Sequence, residues 1–205
     1  MNISLLDYGA GNLPSVERAL QRLGAQTERV CTSAGVAKAS ALILPGVGHY
    51  GALMRALDRD GLRESLIDAI ERGVPFLGIC LGLQALFQKS DEAPTLQGLE
   101  ILPGSVRVLS RTVKLPHMGW DQLQLRAGSR MLAGIDAAAY FYFAHSYAVP
   151  YHAEDRSLET RATCSYGDEF VAVAEKQKIF AVQFHPEKSG DAGQRVLDNF
   201  LRIAA

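Results

Sequence analysis

Cys80, His185 and Glu187 have the types and local settings of one nucleophilic site. The run Gly78-Ile79-Cys80-Leu81-Gly82 has the spacing of the G-x-S-x-G nucleophile elbow, with sulfur in place of oxygen. In such a turn the backbone passes so close to itself that a Cβ two residues either side of the nucleophile would collide, so glycine stands there. The thiol would sit at a helix start, where unpaired N–H groups favour thiolate, and the Leu81 amide would point to where an oxyanion forms on an attacked carbonyl. On its own, a cysteine in an apolar run is more often a small core residue, and flanking glycines also serve plain strand–helix packing. Cys31 and Cys164 lack the glycine frame, and for them the core reading stands.

The base and its orienter come from His185-Pro186-Glu187, at the end of the apolar run 179–184. Pro186 biases His185 toward extended backbone. In an extended segment, residues two apart project to the same side, so the Glu187 carboxylate is expected to reach the imidazole and fix its tautomer. That is the part played by the third member of a triad. Taken alone, His-Pro-Glu is also compatible with an ordinary strand-end histidine. The other histidines, His49, His117, His145 and His152, have no carboxylate at that spacing.

Two glycine loops could add backbone donors. Pro45-Gly46-Val47-Gly48 follows a buried strand and would lie at the same sheet edge as Cys80 if the strands are parallel. Gly9-Ala10-Gly11-Asn12 fails as a dinucleotide fingerprint because Pro14 occupies the place of the third glycine. No cofactor and no metal are expected.

The elements that must position these residues alternate between short apolar runs and amphipathic ones, which implies an α/β fold with helices on both faces of an open, mostly parallel twisted sheet. Strands are expected over 3–6, 41–44 and 74–79, and helices over 15–23 and 60–72. A helix over 81–88 would place Cys80 at a sharp strand-to-helix turn. Beyond residue 95 the alternating segments 106–109, 122–125, 139–144, 170–174 and 179–184 point to some antiparallel pairing in the C-terminal half. A last helix is expected over 194–203.

With 205 residues, residues 1–205 fit one domain. Lys plus Arg number 21 against 22 Asp plus Glu, so there is no excess positive charge for nucleic acid or an anionic membrane. Three cysteines without a CxxC pair fit a reducing cytoplasm. Neither a secretory leader nor a membrane span is expected.

Gly78-Ile79-Cys80-Leu81-Gly82-Leu83-Gln84 and Gln183-Phe184-His185-Pro186-Glu187-Lys188-Ser189 resemble the motifs of class I glutamine amidotransferases. Within that family, four further segments resemble the glutaminase subunits of imidazole glycerol phosphate synthases. They are Asp7-Tyr8-Gly9-Ala10-Gly11-Asn12, Pro45-Gly46-Val47-Gly48, His117-Met118-Gly119-Trp120 and the stretch from Phe141 to Tyr147. Asp121 stands where that family usually has Asn, and His49 and Tyr50 where Ala and Phe are familiar.

The resemblance implies glutamine as substrate, with Cys80, His185 and Glu187 catalytic and the amides of Leu81, Val47 and Gly48 forming the oxyanion hole. Gln84, Glu92, Ser146 and Tyr147 would hold the amino-acid end of glutamine, although Glu92 also reads as a solvated acidic loop residue. Trp120, Tyr142, Lys188 and Asn12 would face a (β/α)8-barrel cyclase in a heterodimer, although Trp120 also reads as a core aromatic. Glutaminase subunits of pyridoxal phosphate or anthranilate synthesis, and a regulatory subunit without activity, are the alternatives.

Overall fold

The computed structural model describes residues 2–154 and 157–205. β1 (Asn2–Leu6) is buried after its first residue. It leads to α1 (Leu13–Arg22), whose first turn takes Pro14 because an N–H there has no helical acceptor anyway. Its inward face is Leu13, Val16, Ala19 and Leu20. β2 (Gln26–Val30) is largely exposed, and α2 (Ser33–Lys38) is capped by the Thr32 hydroxyl, which accepts from Gly35 N–H at 3.2 Å. β3 (Leu42–Gly46) follows, then α3 (Tyr50–Arg59). The helix expected over 60–72 is α4 (Leu62–Glu71), separated from α3 by left-handed Gly61.

β4 (Phe76–Cys80) is buried throughout and runs directly into α5 (Leu81–Ala85). The helix after Cys80 is therefore about one turn, not the run to residue 88 that the spacing implied. The chain leaves it to form β5 (Lys89–Ser90), because Gln88 N–H is taken by Gly104 O and Leu102 N–H by Leu86 O.

The second half contributes β6 (Ser105–Val108), β7 (His117–Gln122), β8 (Gln124–Leu125), β9 (Tyr140–His145), β10 (Tyr147–Ala148), β11 (Thr160–Tyr166), β12 (Asp168–Lys176) and β13 (Ile179–Val182). A 3-10 turn at Pro186–Lys188 precedes α6 (Gly190–Ala204). The strand expected over 122–125 is thus split. The β7 part begins five residues earlier and pairs antiparallel with β9, while β8 joins β11.

The main sheet has the order β2-β1-β3-β4-β13-β12-β11-β8. From β2 to β13 all neighbours are parallel, and from β13 to β8 all are antiparallel. Alternation along the strands divides the core in two. Leu42, Leu44 and Phe76 join the side chains of α3 and α4 on one face, while Ile43, Leu77 and Ile79 join those of α1 and α6 on the other. Covering both faces explains why β3 and β4 read as unbroken apolar runs.

Candidate active site

The β3, β4 and β13 register places Gly46 beside Cys80 and Val182 beside Ile79. All three strands therefore end at one edge, the usual position of a site in an open parallel sheet. At this edge Cys80 adopts φ 54°, ψ −106°, a conformation costly for a residue with a side chain. The surrounding glycines make the turn fit: a Cβ on Gly78 would lie 2.6 Å from Gly82 O, and one on Gly82 would lie 1.9 Å from Leu44 O. Since α5 is about one turn long, its macrodipole is small, and Leu81 N–H is the first backbone donor of that turn after Cys80.

His185 is 3 % exposed, and its Nδ1 lies 3.0 Å from Glu187 Oε1. The carboxylate arrives there by a route other than the extended one expected. Pro186 opens the 3-10 turn, Lys188 N–H donates to His185 O at 3.0 Å, and the turn folds Glu187 back onto the ring. A proline ring fixes its own φ near the helical value, so it starts a turn as readily as it extends the residue before it. Ser189 locks the segment to β9, donating its hydroxyl to His185 O at 2.7 Å and accepting from Tyr142 N–H at 3.0 Å.

Burial opposes charge on the His185 ring, but hydrogen bonds with Cys80 and Glu187 outweigh it and raise the imidazole pKa from 6.5 to about 10. Because the folded value lies above the ordinary one, the stability contributed by the charged ring is complete below pH 6.5 and lost as pH rises toward 10. Urea unfolding across that window should show stability falling in the native chain and a flatter profile in His185→Gln. Equal slopes would refute a charged, paired imidazole.

Residues 4–204 match the sequence model described as glutamine amidotransferase class-I. The chain belongs to the class I glutamine amidotransferase family. Among relatives of this amidotransferase, the imidazole glycerol phosphate synthase subunit HisH of Methanothermobacter thermautotrophicus is 45% identical over 201 residues, covering 98% of each chain. The chloroplastic imidazole glycerol phosphate synthase hisHF of Arabidopsis thaliana is 42% identical over 202 residues, covering 97% of this chain and 34% of the plant protein. A crystal structure of a glutamine amidotransferase superposes with a TM-score of 0.77 at 22% identity, covering 98% of both chains, a likeness of fold.

Around the amidotransferase's Cys80, Gln84 is 3 % exposed and donates to Tyr147 O at 2.7 Å. Ser146 O accepts from Leu109 N–H at 2.9 Å. Glu92 Oε2 accepts from Tyr50 N–H at 2.6 Å, tying the carboxylate to the start of α3, and His49 caps that helix with Nδ1 3.0 Å from Gly51 N. Val47 and Gly48 form an exposed turn, with Gly48 at φ 95°.

The four residues expected to face a partner lie apart from one another to different degrees. Trp120 is exposed and stands edge-on to Tyr142 with ring centroids 5.9 Å apart, and the Lys188 ammonium lies over the Tyr142 ring at 5.5 Å. These three form one cluster. Asn12 instead caps α1 without a side-chain hydrogen bond to it.

Gln183 received no role from its sequence position. It is fully buried, donates from Nε2 toward Cys80 Sγ at 3.6 Å, and accepts from Gln84 Nε2 at 3.2 Å. An amide inside the otherwise apolar run 179–184 was the available clue, because a buried amide needs partners. Tyr8 is the second such residue. Its hydroxyl is buried, and burial pushes the phenol up to about 12, with the Val47 backbone lowering it in part and Cys80 raising it further.

Proposed function

We propose that this chain is the glutaminase subunit of an imidazole glycerol phosphate synthase, hydrolysing glutamine at Cys80 and delivering ammonia to a cyclase subunit for histidine biosynthesis. The observation that carries the chemistry is the convergence of a strained, glycine-framed thiol with a buried imidazole–carboxylate pair. The full-length likeness to proteins named as subunits of that synthase carries the pathway.

The Cys80 thiolate attacks the side-chain amide carbon of glutamine, and the oxyanion is met by Leu81 N–H and by an amide of the Val47–Gly48 turn. His185, charged and held by Glu187, gives its proton to the departing nitrogen. Ammonia leaves and a γ-glutamyl thioester remains. The neutral His185 then takes a proton from water, whose oxygen attacks the thioester, and glutamate departs as the thiolate re-forms. Gln84, Glu92 and the backbone at Ser146 and Tyr147 would hold the substrate's amino-acid end.

Ammonia is protonated rapidly in water and then no longer nucleophilic, which favours release into a docked partner. The cluster of Trp120, Tyr142 and Lys188 supports this, since Tyr142 O accepts from His185 N–H at 2.9 Å and the two rings lie 6.5 Å apart. A (β/α)8-barrel cyclase is the partner we infer, with Asn12 at its edge. The plant relative, of which this chain matches 34%, is named as the synthase itself where the archaeal one is named a subunit, which supports the pairing. Three free cysteines support a cytoplasmic setting. No helix of the described residues is long and apolar enough to cross a membrane.

Gly48, at φ 95°, allows the Val47–Gly48 peptide to turn over at little cost, so the oxyanion hole would be completed only in one orientation. Adding the cyclase and its nucleotide ligand should raise glutamate production on the order of 10–100-fold, the usual range of coupling between two sites. Equal rates with and without the cyclase would overturn this activation.

A further inference from the structure

His117 and His145 are 3 % and 6 % exposed, and the mechanism above uses neither. They face each other across the β7–β9 pair, His117 Nδ1 lying 3.2 Å from His145 Nε2. His117 is held flat between Phe143 and Tyr166, with centroids 4.8 and 4.1 Å away. The chain of contacts continues in both directions. Outward, His117 Nε2 lies 3.5 Å from Asp121 Oδ2, next to exposed Trp120. Inward, His145 Nδ1 lies 2.9 Å from Tyr147 O, the same carbonyl that takes the Gln84 amide at 2.7 Å. Gln84 then bonds Gln183, and Gln183 bonds Cys80.

Donor and acceptor roles along this line follow from chemistry. A carbonyl oxygen only accepts, so His145 Nδ1 must carry its hydrogen. Burial pushes the His145 imidazole down to about 3, so the ring is neutral and its Nε2 is a lone pair. His117 must then donate from Nδ1. Its Nε2 is left facing a carboxylate, which also only accepts. A charged His117 satisfies both neighbours, whereas a neutral one has a single N–H for which His145 and Asp121 compete.

The other groups around the pair do not relieve the conflict. The Tyr166 hydroxyl donates to Lys114 O at 2.7 Å. The Cys164 thiol, on which Asp121 also acts, is pushed up to about 12 by burial and stays neutral. Burial keeps His145 neutral, and His117 and His185, acting on it as like charges, add to that effect.

We propose that Asp121 and His117 are positioning residues that set the tautomer of His145, and through the Tyr147 carbonyl and Gln84 hold the substrate-binding wall beside Cys80. This rests on the glutaminase reading for its link to substrate, while the tautomers stand on the contacts of the two rings and on the burial that keeps His145 neutral. Burial lowers the His117 pKa below 6.5 and Asp121 pulls it back. Below its titration the relay is complete. Above it the charged carboxylate draws the single N–H to Nε2, and His145 loses its donor. Glutamine KM should therefore rise with pH through that step. In Asp121→Asn an amide N–H can serve Nε2, leaving Nδ1–H for His145 at every pH.

The test is nitrogen NMR of histidine-labelled chain, native and Asp121→Asn, from pH 5 to 8, with KM and kcat for glutamine measured on the same proteins bound to the cyclase. His145 should be the Nδ1–H tautomer at low pH in the native chain and at all pH in the variant. Native KM should climb about fivefold, the factor for one neutral hydrogen bond, with kcat moving less and the variant flat. His145 resonances identical in the two proteins at every pH, or parallel KM profiles, would overturn the relay. Resonances as expected with no glutamine hydrolysis in either protein would overturn the glutaminase reading and with it the link to KM.

Discussion

Cys80→Ala should abolish glutamate formation, by on the order of 10⁴-fold or more, while the chain stays folded and still binds the cyclase. Without sulfur there is no thioester, and His185 and Leu81 N–H have no tetrahedral adduct to serve. Only the binding wall remains. The companion Cys80→Gly separates catalysis from strain. At φ 54°, ψ −106° any residue with a Cβ is strained, and glycine is not. Cys80→Gly should be as inactive as the alanine variant yet more resistant to urea, by about 1–2 kcal/mol. Residual turnover in either variant, together with failure of a glutamine-like electrophile to label residue 80 in the native chain, would rule out covalent catalysis there.

Gly82→Ala should be the most damaging single-methyl change near the site. The new Cβ would stand 1.9 Å from Leu44 O and 3.0 Å from Leu44 C, backbone against backbone, where no rotamer change gives relief. α5 would have to lift off β3, carrying the Leu81 amide with it. Gly46 and Gly78 face the same junction, each with a Cβ contact at 2.6 Å, so the neighbouring turns cannot yield. A loss above about 3 kcal/mol is expected, which for a chain of this size lowers Tm by roughly 6–12 °C. The control is Gly73→Ala. Gly73 has φ 82° with nothing within 4 Å of a Cβ, so its cost is the backbone strain of about 1 kcal/mol alone. Equal losses at positions 73 and 82 would refute the close-approach account.

How much of this could be read from the chain differs by element. The α1 face, the buried runs of β3 and β4 and the last helix were legible because each buries a continuous stripe at its own period. β2 was not, because Gln26–Val30 is an edge strand exposed over most of its length and has no apolar alternation. α3 (Tyr50–Arg59) also escaped, since its cap is a histidine and its start is fixed by Glu92, 42 residues away. β11 (Thr160–Tyr166) is stitched to β12 through a register shift, which breaks the two-residue period that would have marked it.

Short motifs in the chain specify the chemistry on offer: a thiol framed by two glycines, an imidazole two residues from a carboxylate, and the strand-to-helix turn that strains the thiol. Those features depend on local backbone geometry and on side chains within a few residues, which a short motif specifies. The tertiary structure alone decided the rest. Parallel pairing of β13 with β4 brings residue 185 to residue 80, the 3-10 turn rather than an extended segment carries Glu187 to His185, and Gln183, His117 and His145 become linked to the site. The strand pairing and the side-chain links join segments far apart in the chain, and the turn, though local, is held in place by Ser189 accepting from Tyr142 N–H on β9; such distant partners leave no mark on the periodicity of either segment.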